Sequence, residues 1–217
     1  MTGDAVAVLA KAPRAGFVKT RLSPPLTAAE AEGVARVCLE ETLRRFPAAV
    51  SARWLLFLDG DVEPWLAGLA AGRGVRIERQ GTGDLGARLT RVFGALHGSG
   101  ARRVVAIGSD SPTLDPSWIA RALERLDVAD VVLGPARDGG YYLIGIRPGR
   151  EDLFRGIPWS TTGVAAETRR RAAEAGWVLE ELPEWYDVDD LEGLRRAAAD
   201  ATGDTVLGRR LMALAGR

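Results

Sequence analysis

An α/β fold with a mostly parallel sheet is what this 217-residue chain predicts, and three observations carry that prediction. Short apolar, β-rich runs alternate with longer amphipathic segments, the pattern of βαβ units. One run, Val104-Val105-Ala106-Ile107, is apolar at every position, as a strand covered on both faces requires. Loops rich in Gly, Pro and charge follow these runs, where open parallel sheets bind their ligands.

The elements follow in order. The first strand covers residues 5–10. Thr27-Ala28-Ala29-Glu30 reads as a capping box. The helix it starts turns Ala31, Val34, Ala35, Cys38, Leu39, Leu43 and Phe46 to one face, with Pro47 as its stop. A second strand at 53–58 ends in Asp59-Gly60-Asp61, a short helix spans 64–71, and a third strand covers 75–78. A Gly-rich loop, Gln80 to Arg88, opens a helix whose inward residues are Leu89, Val92, Phe93 and Leu96. The central strand ends at Gly108-Ser109-Asp110-Ser111-Pro112. Asp115 then caps a helix with Pro116 at its first position, running to about Leu126. Strands at 130–133 and 141–146 flank the Asp138-Gly139-Gly140 loop. A helix at 163–175, a strand at 178–182 and two Ala/Leu-rich helices complete the chain. Without an internal repeat or low-complexity linker, a single domain over 1–217 is the expectation.

Composition narrows the class. Lys+Arg and Asp+Glu both number 29, giving zero formal net charge, which argues against a nucleic-acid binder working by bulk electrostatics. Cys38 is the lone cysteine, so neither a disulfide framework nor a Cys-based metal site is expected. No apolar run approaches the ~18 residues of a spanning helix, and no signal-like segment opens the chain. The expectation is a cytoplasmic protein without membrane insertion.

Charge usage points to a site. Lys11 and Lys19 are the only lysines, and both lie in Lys11-Ala12-Pro13-Arg14-Ala15-Gly16-Phe17-Val18-Lys19-Thr20-Arg21-Leu22. Everywhere else positive charge is spelled as arginine, so these positions call for a compact ammonium. A strand followed by a Lys/Arg/Gly loop is how α/β proteins hold phosphate groups. Asp110 follows an apolar central strand, where a carboxylate needs a nearby cation such as Mg²⁺. The turn-like Ser-Asp-Ser-Pro sequence leaves open that Asp110 merely caps a turn. In Trp185-Tyr186-Asp187-Val188-Asp189-Asp190-Leu191, Asp189 or Asp190 is the expected helix N-cap, which frees Asp187 to be a second metal carboxylate.

Three segments now resemble one family. Lys11-x-Pro-x-x-Gly16-x-x-Lys19-Thr20-Arg21-Leu22 looks like the N-terminal loop of the nucleotide-diphospho-sugar transferase superfamily, the GT-A-type fold. Gly108-x-Asp110-x-Pro112-x-Leu114 is similar to its metal-binding aspartate segment. Asp187-Val188-Asp189 resembles the Asp/Asn-Ile-Asp/Asn-Thr-Pro-Glu-Asp-Leu segment of its small members. The resemblance extends through Gln80-x-x-x-Asp84-Leu85-Gly86-x-Arg88 and Pro158-Trp159-Ser160-Thr161, and is nearest to a bacterial glycosyltransferase-like family. That family is related to 2-phospho-lactate guanylyltransferase and molybdenum cofactor guanylyltransferase. Three departures stand out: a single Gly16 precedes Lys19-Thr20-Arg21, the DxD motif is reduced to Ser109-Asp110-Ser111, and Thr-Pro-Glu-Asp is Asp190-Leu191-Glu192-Gly193.

The resemblance implies a three-layer Rossmann-like sandwich with a mostly parallel mixed sheet. It implies a Mg²⁺- or Mn²⁺-dependent transferase whose partners are a nucleotide or nucleotide-sugar and a small-molecule acceptor. Lys11, Arg14, Gly16, Lys19 and Arg21 would cradle the phosphates, with Asp84 and Arg88 on the nucleotide. Lys19 and Asp110 would be catalytic, Asp110 and Asp187 would hold the metal, and Asp138, Gly139, Gly140 and Tyr141 would meet the acceptor. Nucleotidyl transfer is the first reading, glycosyl transfer the second and a silent nucleotide-binding module the third; a homodimer is compatible with each. His97, the only histidine, reads as a helix C-terminal cation, and Trp54, Trp65, Trp118 and Trp177 read as packing. The functional reading requires that the lysine loop and Asp110 face one another.

Overall fold

A computed structural model describes residues 3–201 and 206–216. Its strands are β1 (Asp4–Lys11), β2 (Arg53–Asp59), β3 (Arg76–Arg79), β4 (Arg103–Gly108), β5 (Val131–Pro135), β6 (Tyr141–Ile146) and β7 (Leu179–Glu181). They form one sheet in the order β3-β2-β1-β4-β6-β5-β7. All neighbours pair in parallel except β6, which runs antiparallel to both β4 and β5. The helices are α1 (Ala28–Ala49), α2 (Pro64–Ala71), α3 (Leu85–Gly98), α4 (Pro116–Arg125), α5 (Val164–Glu174), α6 (Leu191–Asp200) and α7 (Val206–Ala215). This is the mostly parallel mixed α/β sandwich that the sequence predicts.

The two-residue period of the strands builds both cores. Val6, Val8, Leu56, Leu58, Val105 and Ile107 face Leu39, Leu43 and Phe46 of α1 and Ile119 and Leu123 of α4. The intervening Ala5, Ala7, Leu55, Phe57, Val104 and Ala106 face Leu89, Val92, Phe93 and Leu96 of α3 and Ala165 and Ala172 of α5. The other side of α1 is buried too: Val34, Val37 and Cys38 pack on Leu194 and Ala197 of α6 and Leu207 and Leu211 of α7. Truncating a fully buried ring such as Phe93 to alanine would cost about 3–5 kcal/mol.

Local signals explain most boundaries. Thr27 and Glu30 form the capping box of α1, and the Asp115 side chain caps α4 by accepting from Ser117 N–H at 2.9 Å. Pro47 does not stop α1, contrary to expectation. It sits in the last turn, where the missing N–H forfeits one bond, and the helix closes with Val50 N–H donating to Phe46 C=O at 3.0 Å. Single 3-10 turns lie at Thr20–Leu22 and Glu151–Phe154. The edge strand β3 is only four residues long and carries Arg76, Glu78 and Arg79, charges that discourage edge-to-edge pairing. Among the described residues no helix is long and apolar enough to cross a membrane.

Candidate active site

Parallel register brings the carboxyl ends of β1, β2 and β4 to one edge of the sheet, with Lys11 beside Asp59 and Leu9 beside Gly108. The loop after β1 returns over this edge. Lys19 adopts a left-handed backbone (φ 49°) at the start of the 3-10 turn and sends its side chain down onto the end of β4. Its ammonium donates to Asp110 and, at 3.0 Å, to Asp189. The lysine side chain is 5% exposed, against 42% for Asp110 and 43% for Asp189. The lysine loop and Asp110 therefore meet.

Asp187 joins the same cluster. Val188 N–H donates to the Asp110 carbonyl at 2.8 Å, which lays the extended 187–189 segment alongside the end of β4. Val188 is fully buried among α1 and α6 residues. Alternation along an extended backbone then sends Asp187 and Asp189 to the opposite side. There Asp187 accepts from the Ser111 hydroxyl. Burial pushes the Asp187 carboxyl up to about 7, the charge of Asp110 adds to that, and the Ser111 hydrogen bond opposes it. For Lys19, burial alone would favour the neutral amine. The Asp110 and Asp189 carboxylates outweigh burial and raise its pKa, so the group is a permanent ammonium. Behind it lies Cys38, whose thiol is pushed up to about 12 by burial and stays neutral, an inert core residue as read from the sequence.

Asp189 is the residue that sequence reasoning assigned less sharply. Asp190, not Asp189, caps α6, accepting from Gly193 N–H at 2.8 Å. The signal lay in the period-two spacing of Asp187 and Asp189, which puts both on one side of an extended segment.

Other residues of the site divide into two groups. Lys11, Arg14 and Arg21 are exposed in or beside the loop, Gly16 takes a left-handed φ of 80°, and the Arg14 guanidinium lies 4.3 Å from the centre of the Phe17 ring. Asp84 and Arg88 instead have structural partners. Asp84 caps α3 by accepting from Ala87 N–H at 2.8 Å. Arg88 donates to Asp59 at 2.7 Å, Gln80 at 3.0 Å and the Gly83 carbonyl at 3.1 Å. The buried Gln80 amide in turn donates to the carbonyls of Ala10 at 2.8 Å and Phe57 at 2.9 Å, locking this loop to β1 and β2.

The Asp138–Tyr141 turn is built into the protein rather than free. Asp138 accepts from Gly140 N–H at 2.9 Å, and Ala165 N–H donates to the Gly139 carbonyl at 2.9 Å. A Cβ on Gly139 (φ 88°) would stand 2.0 Å from the Thr162 carbonyl oxygen. The Tyr141 hydroxyl and the Trp159 indole N–H are buried without a hydrogen-bond partner, and their rings meet edge-on at 6.2 Å. His97 is engaged elsewhere, its Nδ1 2.8 Å from Glu151.

The donor set suits a hard divalent cation. Asp110, Asp187 and Asp189 outnumber the single ammonium, and oxygen donors are what Mg²⁺ and Mn²⁺ take. Among the described residues no group of three or more His, Cys, Asp or Glu could hold a metal ion by itself. One or two carboxylates completed by substrate phosphates is the usual Mg²⁺ arrangement, and this cluster matches it.

The 2-phospho-L-lactate guanylyltransferase of Methanothermobacter thermautotrophicus is 29% identical over 136 residues, 62% of this chain and 59% of that protein's own length. A candidate nucleotide-diphospho-sugar transferase from Desulfovibrio desulfuricans G20 superposes with a TM-score of 0.89 at 27% identity, covering 100% of this chain and 98% of the other. Glucosyl-3-phosphoglycerate synthase of Mycobacterium tuberculosis, solved with Mn²⁺, UDP and glucosyl-3-phosphoglycerate, shares the fold with a TM-score of 0.53 at 12% identity, over 98% of this chain and 80% of the other. The signature of one family matches residues 42–161, and the chain belongs to it: DUF2064, described as an uncharacterized protein conserved in bacteria.

Proposed function

We propose that this chain is a Mg²⁺- or Mn²⁺-dependent nucleotidyltransferase that moves a nucleotidyl group from an NTP to a small phosphorylated or sugar-like acceptor. The observation that carries this reading is the meeting of Lys19 with Asp110, Asp187 and Asp189 beneath a loop bearing Lys11, Arg14 and Arg21. The guanylyltransferase relative supports GTP as the first NTP to test and a phosphorylated hydroxy acid as the first acceptor.

The residues divide the work. Lys11, Arg14 and Arg21, with backbone N–H groups near Gly16, bind and orient the triphosphate, and Lys19 presents a fixed ammonium to it. Asp110 and Asp187 would hold the divalent cation, which when bound supplies charge neutralisation on the phosphates and the leaving pyrophosphate. The acceptor oxygen forms the new bond to the α-phosphorus as the bond to pyrophosphate breaks. Such chemistry is mostly positioning and electrostatics, so no nucleophilic side chain is required. Asp84, through its cap on α3, and Arg88, through the Gln80 brace, shape the nucleotide side, and the Asp138-Gly139-Gly140-Tyr141 turn lies on the acceptor side. We assign the whole of residues 1–217 to one such domain, working in the cytoplasm.

Glycosyl transfer from an NDP-sugar is the second reading, favoured by the likeness to the D. desulfuricans protein. Incubation with NTPs and NDP-sugars plus candidate acceptors separates the two. Pyrophosphate release supports the first reading and NDP release the second. Turnover and nucleotide binding indifferent to Mg²⁺ and to Asp110→Ala would leave only a silent nucleotide-binding module. For an enzyme, Asp110→Ala should lose about 10²–10³ in rate, as other charge-stabilising groups do.

A further inference from the structure

Asp110 has two claimants. It accepts from the Lys19 ammonium, and on the reading above it also holds a divalent cation. Lys19 cannot simply swing away into water. Its side chain is buried, walled by fully buried Cys38, and tethered to Asp189 as well. A divalent cation entering the cluster therefore approaches a fixed positive charge that has already neutralised part of the carboxylate field. Nucleotide phosphates change that balance, because their negative charge accommodates the ammonium and the metal together.

We propose that Lys19 is the resident counter-cation of the three-aspartate cluster, which suppresses binding of a bare divalent cation and makes metal and nucleotide phosphates bind together. The proposal rests on the nucleotidyltransferase reading and deepens it. Lys19 thereby has a second task beyond orienting phosphate: it gates the metal. Coupling between two ligands is reciprocal, so the factor by which GTP tightens Mn²⁺ equals the factor by which Mn²⁺ tightens GTP. Typical couplings run from about 5-fold to 150-fold, and at least about 10-fold is expected for a charge this close.

Mn²⁺ binding, followed by the EPR signal of the free ion with and without GTP, tests this without reference to turnover. Lys19→Met should bind Mn²⁺ alone about 10-fold more tightly than wild type, and GTP should then add little further. Lys19→Arg keeps the charge, so it should retain weak Mn²⁺ binding and strong coupling. Lys19→Gln, whose amide can still bond both carboxylates, gives the neutral readout should the methionine variant not fold. Neutral variants that bind Mn²⁺ no more tightly, with the GTP effect intact, overturn the proposal and leave the enzyme reading standing. Wild-type protein that takes up no Mn²⁺ even with GTP overturns both.

Discussion

Ser111 donates its hydroxyl to Asp187, joining the turn after β4 to the segment before α6 across 76 positions of sequence. Ser111 is buried and Asp187 half-buried, so the bond fixes where the Asp187 carboxylate points. Replacing Ser111 with alanine removes the hydrogen bond that opposes the upward push on Asp187. Hydrogen bonds to charged groups contribute about 1.5–3 kcal/mol, so affinity for Mn²⁺ in the presence of GTP should fall roughly 10-fold. Titration of Mn²⁺ into the Ser111→Ala variant checks this; an unchanged affinity would show that the hydroxyl does not orient the carboxylate.

Asp187→Asn tests the carboxylate itself. The amide keeps the size and can still meet Ser111, so the fold should persist with an unchanged circular-dichroism spectrum. Turnover should drop by about 10²–10³ through lost charge stabilisation. Retained activity would remove Asp187 from the metal site.

Gly139 is a position where no side chain fits. Its positive φ and the 2.0 Å approach of the Thr162 carbonyl to a would-be Cβ leave alanine both strained and clashing. Gly139→Ala should destabilise by roughly 2–4 kcal/mol, combining backbone strain with displacement of the start of α5. A thermal melt within a degree of wild type would contradict the geometry.

Glu40 makes stability depend on pH. Burial would raise its pKa, but hydrogen bonds from Arg210 and Arg36 outweigh burial and hold the carboxyl below the usual range. The folded state thus binds the proton less readily than the unfolded chain. The contribution is complete above the ordinary glutamate pKa of about 4.3 and is lost as pH falls through the depressed folded value. Glu40→Gln should lower Tm by a few degrees at neutral pH, and the difference should close toward pH 3. A difference that stayed constant with pH would mean that the charge contributes nothing.

Much of this was legible in the residues, and the gaps have physical causes. Thr27 with Glu30, and Asp115 with Pro116, announce helix starts because caps satisfy orphan N–H groups locally. Pro47 misled because so near the helix end a proline forfeits only the one bond its N–H would give to the preceding turn, and Val50 N–H still closes the helix on Phe46 C=O. At the site, the pairing of Asp110 with Asp187 followed from carboxylates placed beside a strand end and a helix start. The burial of Lys19 did not, since it depends on contacts 91 and 170 positions away that no local pattern encodes. Asp84 and Arg88 carried the right motif, but their side chains are absorbed by a cap and by the Gln80 brace.

The double burial of α1 reaches further than the core. One flank of that helix lies on the sheet and the other lies under α6 and α7, and the Asp187–Asp189 strip leads directly into α6. Loosening the outer pair of helices would withdraw two of the three acids from the ammonium while leaving the sheet whole. Mutations far out in α6 or α7, at Leu194 or Leu211 for instance, would then surface first as lost cation affinity and only afterwards as lost fold.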